Sequence, residues 1–129
     1  MADLKAYLTS LAREPFAYGR CDCALVLGRW WASNRGIDPT AVFAGTYGSK
    51  EECDALLAAH GGLLRMARSM AASVNAQRAR TFKPGDLGVV RFQGQHFGAI
   101  HTPSGKWAIK GGDGIIVTST CKPLMVWSI

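Results

Sequence analysis

Apolar residues recur at helical spacing near the start of the chain. Leu4, Tyr7, Leu8 and Leu11 fall on one face of a helix predicted over residues 3–13. Asp3 can cap its start, and Pro15 ends it. Phe16 to Arg20 then form a loop in which Gly19 is the flexible point. Asp22 stands where an N-cap belongs, which predicts a second helix from Cys23 to about Ser33. Cys23, Leu27, Trp30 and Trp31 share its apolar face, Gly36 stops it, and Asp38-Pro39 begins the next turn. Ser49-Lys50-Glu51-Glu52 is a capping-box pattern that opens a helix running to His60, where Gly61-Gly62 closes it. A shorter helix is expected over Leu63 to Ala72.

After Lys83-Pro84-Gly85-Asp86 the period changes from helical to alternating. Five short strands follow: Leu87 to Phe92, His96 to His101, Lys106 to Lys110, Ile115 to Thr120 and Leu124 to Ile129. Gln93-Gly94, Pro103-Ser104-Gly105 and Gly111-Gly112-Asp113-Gly114 supply the turns. Short consecutive connections predict an antiparallel meander or small half-barrel. With a helical part over 1–80 and a sheet part over 84–129, the class is α+β in a single domain.

Composition narrows the class further. At 129 residues, 48% hydrophobic and 19% charged, the chain can bury a core and is neither a disordered tail nor a disulfide-dependent miniprotein. Its longest apolar run, Ala24 to Leu27, is far short of a membrane span. No basic stretch with an apolar h-region opens the chain, so no signal peptide is expected. Fifteen Lys and Arg against nine Asp and Glu give a net charge of +6, which favours a polyanionic neighbour. The cations are scattered apart from a loose cluster over Arg78 to Lys83, and nothing interleaves aromatics with Arg along a strand, so nucleic-acid binding is a minor expectation.

Cys21, Cys23, Cys53 and Cys121 read as free thiols of a reducing compartment. Cys21 and Cys23 are too close to bridge, and a zinc set of Cys21, Cys23, Cys53 and His60 fits no common spacing. No metal and no cofactor is expected. Cys53 and Cys121 are expected as buried small hydrophobes, Cys21 as a packing thiol, the tryptophans mostly as core, and His60 as a cation at a helix C-terminus. Asp86 is expected to brace the start of the first strand.

The informative pair is a thiol at a helix start and a histidine on a later strand. A helix N-terminus favours the thiolate, which is the nucleophile. Cys23 occupies that place if Asp22 is the cap. His96, opening the second strand, could take its proton and later protonate a leaving amine. The bland alternative is an inert buried cysteine and a solvent-exposed strand histidine.

Phe16-Ala17-Tyr18-Gly19-Arg20-Cys21-Asp22-Cys23-Ala24-Leu25-Val26 resembles the nucleophile segment of the NlpC-type papain-like cysteine peptidases. Pro84-Gly85-Asp86-Leu87-Gly88-Val89-Val90-Arg91-Phe92, followed by His96-Phe97-Gly98-Ala99-Ile100, resembles that family's second signature. The resemblance implies a papain-like fold, with helices packed on the sheet, in which Cys23 is the nucleophile and His96 the base. More narrowly, the chain is similar to small proteins of phages and prophages associated with tail assembly. The stretches that carry this likeness are Asp38-Pro39, Phe43-Ala44-Gly45-Thr46-Tyr47 and Trp127. It implies a virion tail-tip protein, made in the host cytoplasm, that cuts peptidoglycan stem peptides during DNA delivery. The partners implied are the stem peptide and neighbouring tail-hub proteins.

The chain departs from that family at the third polar position, on the strand after the histidine strand. Lys110 is the nearest polar candidate there, although an ammonium offers an imidazole N–H no acceptor. Asp113 could accept that bond only if its turn folds inward. Phe16 stands where the family often has a tyrosine near the oxyanion, and Tyr18 lies two residues on. Asp22 completes the set of candidate orienting or oxyanion residues. His101, five residues past His96, should face the other side of the sheet. Two further expectations stand beside the hydrolase: an idle site kept in a structural tail-hub protein, and a basic nucleic-acid-binding module.

Overall fold

The Asp3 carboxylate accepts the Ala6 N–H at 3.0 Å and starts α1 (Leu4–Arg13), as its position before the apolar stripe predicts. Leu4, Leu8 and Leu11 turn inward. The second helix differs from expectation. In the computed structural model, which describes residues 1–129, α2 spans Leu25–Arg35. Asp22 does cap it, but Leu27 N–H bonds back three residues to the Ala24 carbonyl at 3.2 Å. Cys23 and Ala24 therefore form a tight entering turn, and regular α geometry begins after them. Gly36, in the left-handed region at φ +83°, ends α2. Ser49 caps α3 (Lys50–Ala59) through the Glu52 N–H at 3.1 Å, and α4 (Leu63–Ser73) follows the Gly61-Gly62 stop.

The sheet comprises β1 (Leu87–Phe92), β2 (Gln95–His101), β3 (Trp107–Gly111), β4 (Gly114–Thr118) and β5 (Lys122–Trp127). All pairings are antiparallel, in the order β4-β3-β2-β1-β5. The first four strands meander, and β5 returns to pair with β1. It begins at Lys122, two residues before the expected Leu124. An edge strand tolerates Pro123 because only one side of its backbone must donate. The β1–β5 register shifts between Val89 and Val90 and absorbs the extra residue. Gly88 permits this approach: a Cβ there would lie 2.1 Å from the Met125 carbonyl oxygen.

Alternation divides the sheet into two faces. Leu87, Ile100 and Ala108 face α1 and α2, where Leu8, Leu11, Val26 and Trp30 complete the main core. Leu11, Trp30 and Ile100 are 2, 0 and 1% exposed. Side chains of this size each contribute about 1.5–3 kcal/mol when fully buried. Val90, Ala99, Trp107, Ile109 and Val126 form a second core on the other face. All four tryptophans are buried, and Trp30 Nε1 donates to the Gly85 carbonyl at 2.8 Å. Asp86 braces the start of β1: its carboxylate accepts the Lys83 and Ile129 N–H groups at 2.9 and 3.1 Å. Cys53 and Cys121 correct the expectation of full burial, because both are partly exposed. No helix is long and apolar enough to cross a membrane.

Candidate active site

The turn before α2 is organised around one buried carboxylate. Asp22 is 4% exposed and accepts four hydrogen bonds. Its Oδ1 takes the Ala24 and Leu25 N–H groups at 3.1 and 2.9 Å, and its Oδ2 takes the Gly19 N–H at 3.0 Å and the Tyr47 hydroxyl at 2.5 Å. Gly19 sits at φ +77°, and a Cβ there would meet the Tyr47 carbonyl oxygen at 1.9 Å. Its own carbonyl accepts the Gly45 N–H at 2.8 Å. The aromatic-Gly-Arg-x-Asp-Cys stretch is thus a backbone shape held by the loop that ends at Tyr47.

Sequence reasoning missed Tyr47 as a site residue. The Phe43-x-Gly-x-Tyr47 stretch was the available signal, because an isolated tyrosine and glycine in a loop need a reason. Asp38 secures the same loop on α2. Its Oδ1 takes the Thr40 N–H and hydroxyl at 2.8 and 2.6 Å. Gly28 lies beneath, where a Cβ would approach that hydroxyl to 2.1 Å.

Cys23 follows the capped turn and rests on β2. A Cβ on Gly98 would lie 2.3 Å from the Cys23 carbonyl oxygen and 2.8 Å from Leu27 Cδ1. Only glycine lets the turn sit this close. Burial pushes the Cys23 thiol up from the ordinary 9.0 to about 11, and the nearby Asp22 and Cys53 push the same way. A backbone hydrogen bond from Gly98 pulls it down, with less effect. The acidifying influence expected of the helix start is therefore overcome, because Asp22 already occupies the Ala24 and Leu25 N–H groups.

His96 lies two residues before Gly98 and therefore projects from the same face of β2, on the order of 7 Å along the strand. It is exposed, its cross-strand partner is Arg91, and no hydrogen bond to the protein holds its ring. His101 points to the opposite face, where its ring packs 4.8 Å from Trp107 and 6.0 Å from Phe82.

The other candidates separate. Lys110 shares the helix-facing side of β3 but does not serve His96. Its buried Nζ donates to the Leu11 carbonyl at 2.7 Å and to the Glu14 carbonyl, closing the end of α1. Those two carbonyls have lost their helical partners, which is why an ammonium is drawn there. Asp113 does not fold inward; it stands exposed in the two-residue β3–β4 turn. Tyr18 is half-buried with its ring edge-on to Phe16 at 4.9 Å. Burial raises its phenol, with smaller effects from Cys53, Lys50, Asp54 and Cys23.

Cys21 is fully buried beside Glu14, whose carboxylate grips Arg29 at 2.7 and 3.1 Å. No group of three His, Cys, Asp or Glu residues is arranged to hold a metal ion. What the arrangement offers chemically is one protonated thiol in a turn seated on β2, one imidazole free of hydrogen bonds to the protein farther along that strand, and a rigid cap behind them.

No curated protein and no solved structure matches the chain. One family, described as a domain of unknown function (DUF6950), matches residues 1–129 in full, and the chain belongs to it.

Proposed function

We propose that the chain is a papain-like cysteine peptidase or amidase of the NlpC type, working in a phage or prophage tail on peptidoglycan stem peptides. One observation carries the proposal: bare Gly98 seats the Cys23 turn on β2, two residues from His96 and on the same face. Seventy-three positions separate the two residues in sequence, and this contact brings the turn that carries one onto the strand that carries the other. In the reaction, His96 accepts the Cys23 proton as the sulfur attacks an amide carbon. The imidazolium then protonates the leaving amine, and a thioester remains. Water, deprotonated by His96, cleaves the thioester and releases the acid and the thiol. The Cys23 N–H and the Tyr18 hydroxyl are the donors left for the oxyanion, since Asp22 holds the next two amides.

Purified sacculi test the reaction. Cys23→Ala and His96→Ala are expected to lose muropeptide release that the parent shows, and equal release by Cys23→Ala and parent would remove the catalytic claim. A second reading, a tail-hub protein with an idle site, draws support from the raised thiol and from Lys110 being committed to α1. Sacculi separate the two: a parent that releases no muropeptide above the buffer control speaks for the idle site.

A further inference from the structure

The two edges of the sheet are treated differently by the chain. The β5 edge is covered. Ala79 donates to the Val126 carbonyl at 2.9 Å, Ser128 donates to the Gln77 carbonyl at 2.8 Å, and Arg78 bridges Trp127. Farther along, Lys122 and Pro123 occupy that edge, two residues that discourage strand addition. At the opposite edge, β4 reads Gly114-Ile115-Ile116-Val117-Thr118 and has neither device. Ile116 and Val117 are 44 and 47% exposed, the only strand residues among the large exposed hydrophobics. A bare apolar edge is a template for another strand.

The register says which backbone groups are free. The Gly112-Asp113 turn pairs Gly111 with Gly114, and the ladder continues through Ile109 with Ile116 and Trp107 with Thr118. Hydrogen-bonded pairs alternate with open ones in an antiparallel ladder. Ile115 and Val117 therefore direct their N–H and C=O groups away from β3. No turn, loop or cap elsewhere in the chain supplies a backbone partner for them.

We propose that this edge docks a second copy of the chain, β4 against β4, antiparallel about a two-fold axis at Ile116. The segment is self-complementary in that register. Ile115 of each copy meets Val117 of the other, so all the outward backbone groups pair at once. Ile116 meets its own copy in an open pair, with side chains touching on the face away from α1. Gly114 falls opposite Thr118, and Asp113 opposite Ser119, so no like charges meet. This matters because each copy carries +6 and the pair must approach through a neutral window. The proposal does not depend on the hydrolase reading.

Sedimentation of the full chain over a concentration series tests it. The weight-average mass is expected to climb from one chain toward two, and to climb further at higher salt as the mutual repulsion is screened. Ile116→Lys should hold the mass at one chain while leaving the circular dichroism unchanged. Ile116→Cys should form an intermolecular 116–116 disulfide under mild oxidation, located by peptide mapping against the parent, because open antiparallel pairs have the Cα spacing a disulfide needs. Val117→Cys should not, since that position meets Ile115. A parent that stays monomeric at every concentration overturns the proposal. So does a dimer that Ile116→Lys leaves intact, or cross-linking of Val117→Cys as readily as Ile116→Cys.

Discussion

Gly98→Ala is the sharpest perturbation of the thiol's seat. The added methyl would lie 2.3 Å from the Cys23 carbonyl oxygen, 2.8 Å from Leu27 Cδ1 and 3.1 Å from the Cys23 carbonyl carbon. Leu27 can rotate away at little cost. The carbonyl cannot, because Asp22 holds the next two amides at 3.1 and 2.9 Å and Tyr47 holds Asp22. The turn must therefore withdraw as a unit, by about 1 Å to restore ordinary contact. Overpacking of this kind costs about 1–3 kcal/mol, and a rigid backbone obstacle puts the expectation at the upper end. A misplacement of about 1 Å at a reacting centre can cost on the order of 100-fold in rate. Urea unfolding reads the first quantity, and muropeptide release by the surviving folded protein reads the second. If Gly98→Ala matches the parent in both, Gly98 is not what seats Cys23, and the geometric argument fails.

Tyr47→Phe keeps the ring and deletes one short bond to a carboxylate; it should cost about 1.5–3 kcal/mol in urea unfolding, and a loss under 0.5 would show that the bond carries little. The Cys23 thiol titrates at about 11 folded, against 9.0 ordinarily, so between those values the unfolded chain releases a proton that the folded chain keeps. Stability from this group is complete below about pH 9 and is lost as pH rises toward 11, up to about 3 kcal/mol in all. Cys23→Ala should flatten that part of the stability-against-pH curve, and an unchanged alkaline slope refutes the assignment. Lys110→Met keeps the length of the side chain but strands the Leu11 and Glu14 carbonyls. A loss of about 1.5–3 kcal/mol is expected, with faster amide exchange at the end of α1, and parent-like exchange there would count against the pinning role.

Much of this architecture was readable because local chemistry and tertiary packing agree. Asp3, Ser49 and Gly36 act where their side chains or conformational freedom predict, and β1 runs over the residues whose alternation marks it. The failures have physical causes. Capping marks where Asp22 acts, but not that its other oxygen is anchored by Tyr47, 25 residues away, so the tightness of the Cys23 turn was invisible. The β5 start was misplaced because a bulge is set by the partner strand, not by the segment itself. Lys110 could be placed on β3 from its spacing, but its preference for the frayed carbonyls of α1 depends on a contact across 96 to 99 positions. The thiol's raised affinity for its proton follows from burial beside Asp22, which no motif encodes.

Those same facts weigh the two functional readings against each other. A thiol pushed up to about 11 rests mostly protonated at neutral pH. An imidazolium brought within about 4–6 Å lowers such a thiol by about 1–3 units, which restores much of that deficit. His96 is exposed and free of hydrogen bonds to the protein, so fixing its ring costs about 1 kcal/mol of rotamer freedom. The missing third residue weighs more, because a wrongly oriented imidazole alone can cost about 10,000-fold. On the proposed reading the enzyme is therefore a slow one, whose site is completed by its substrate. A stem peptide lying along the exposed start of β2 would confine the ring, exclude water from the sulfur and supply the orientation that β3 does not.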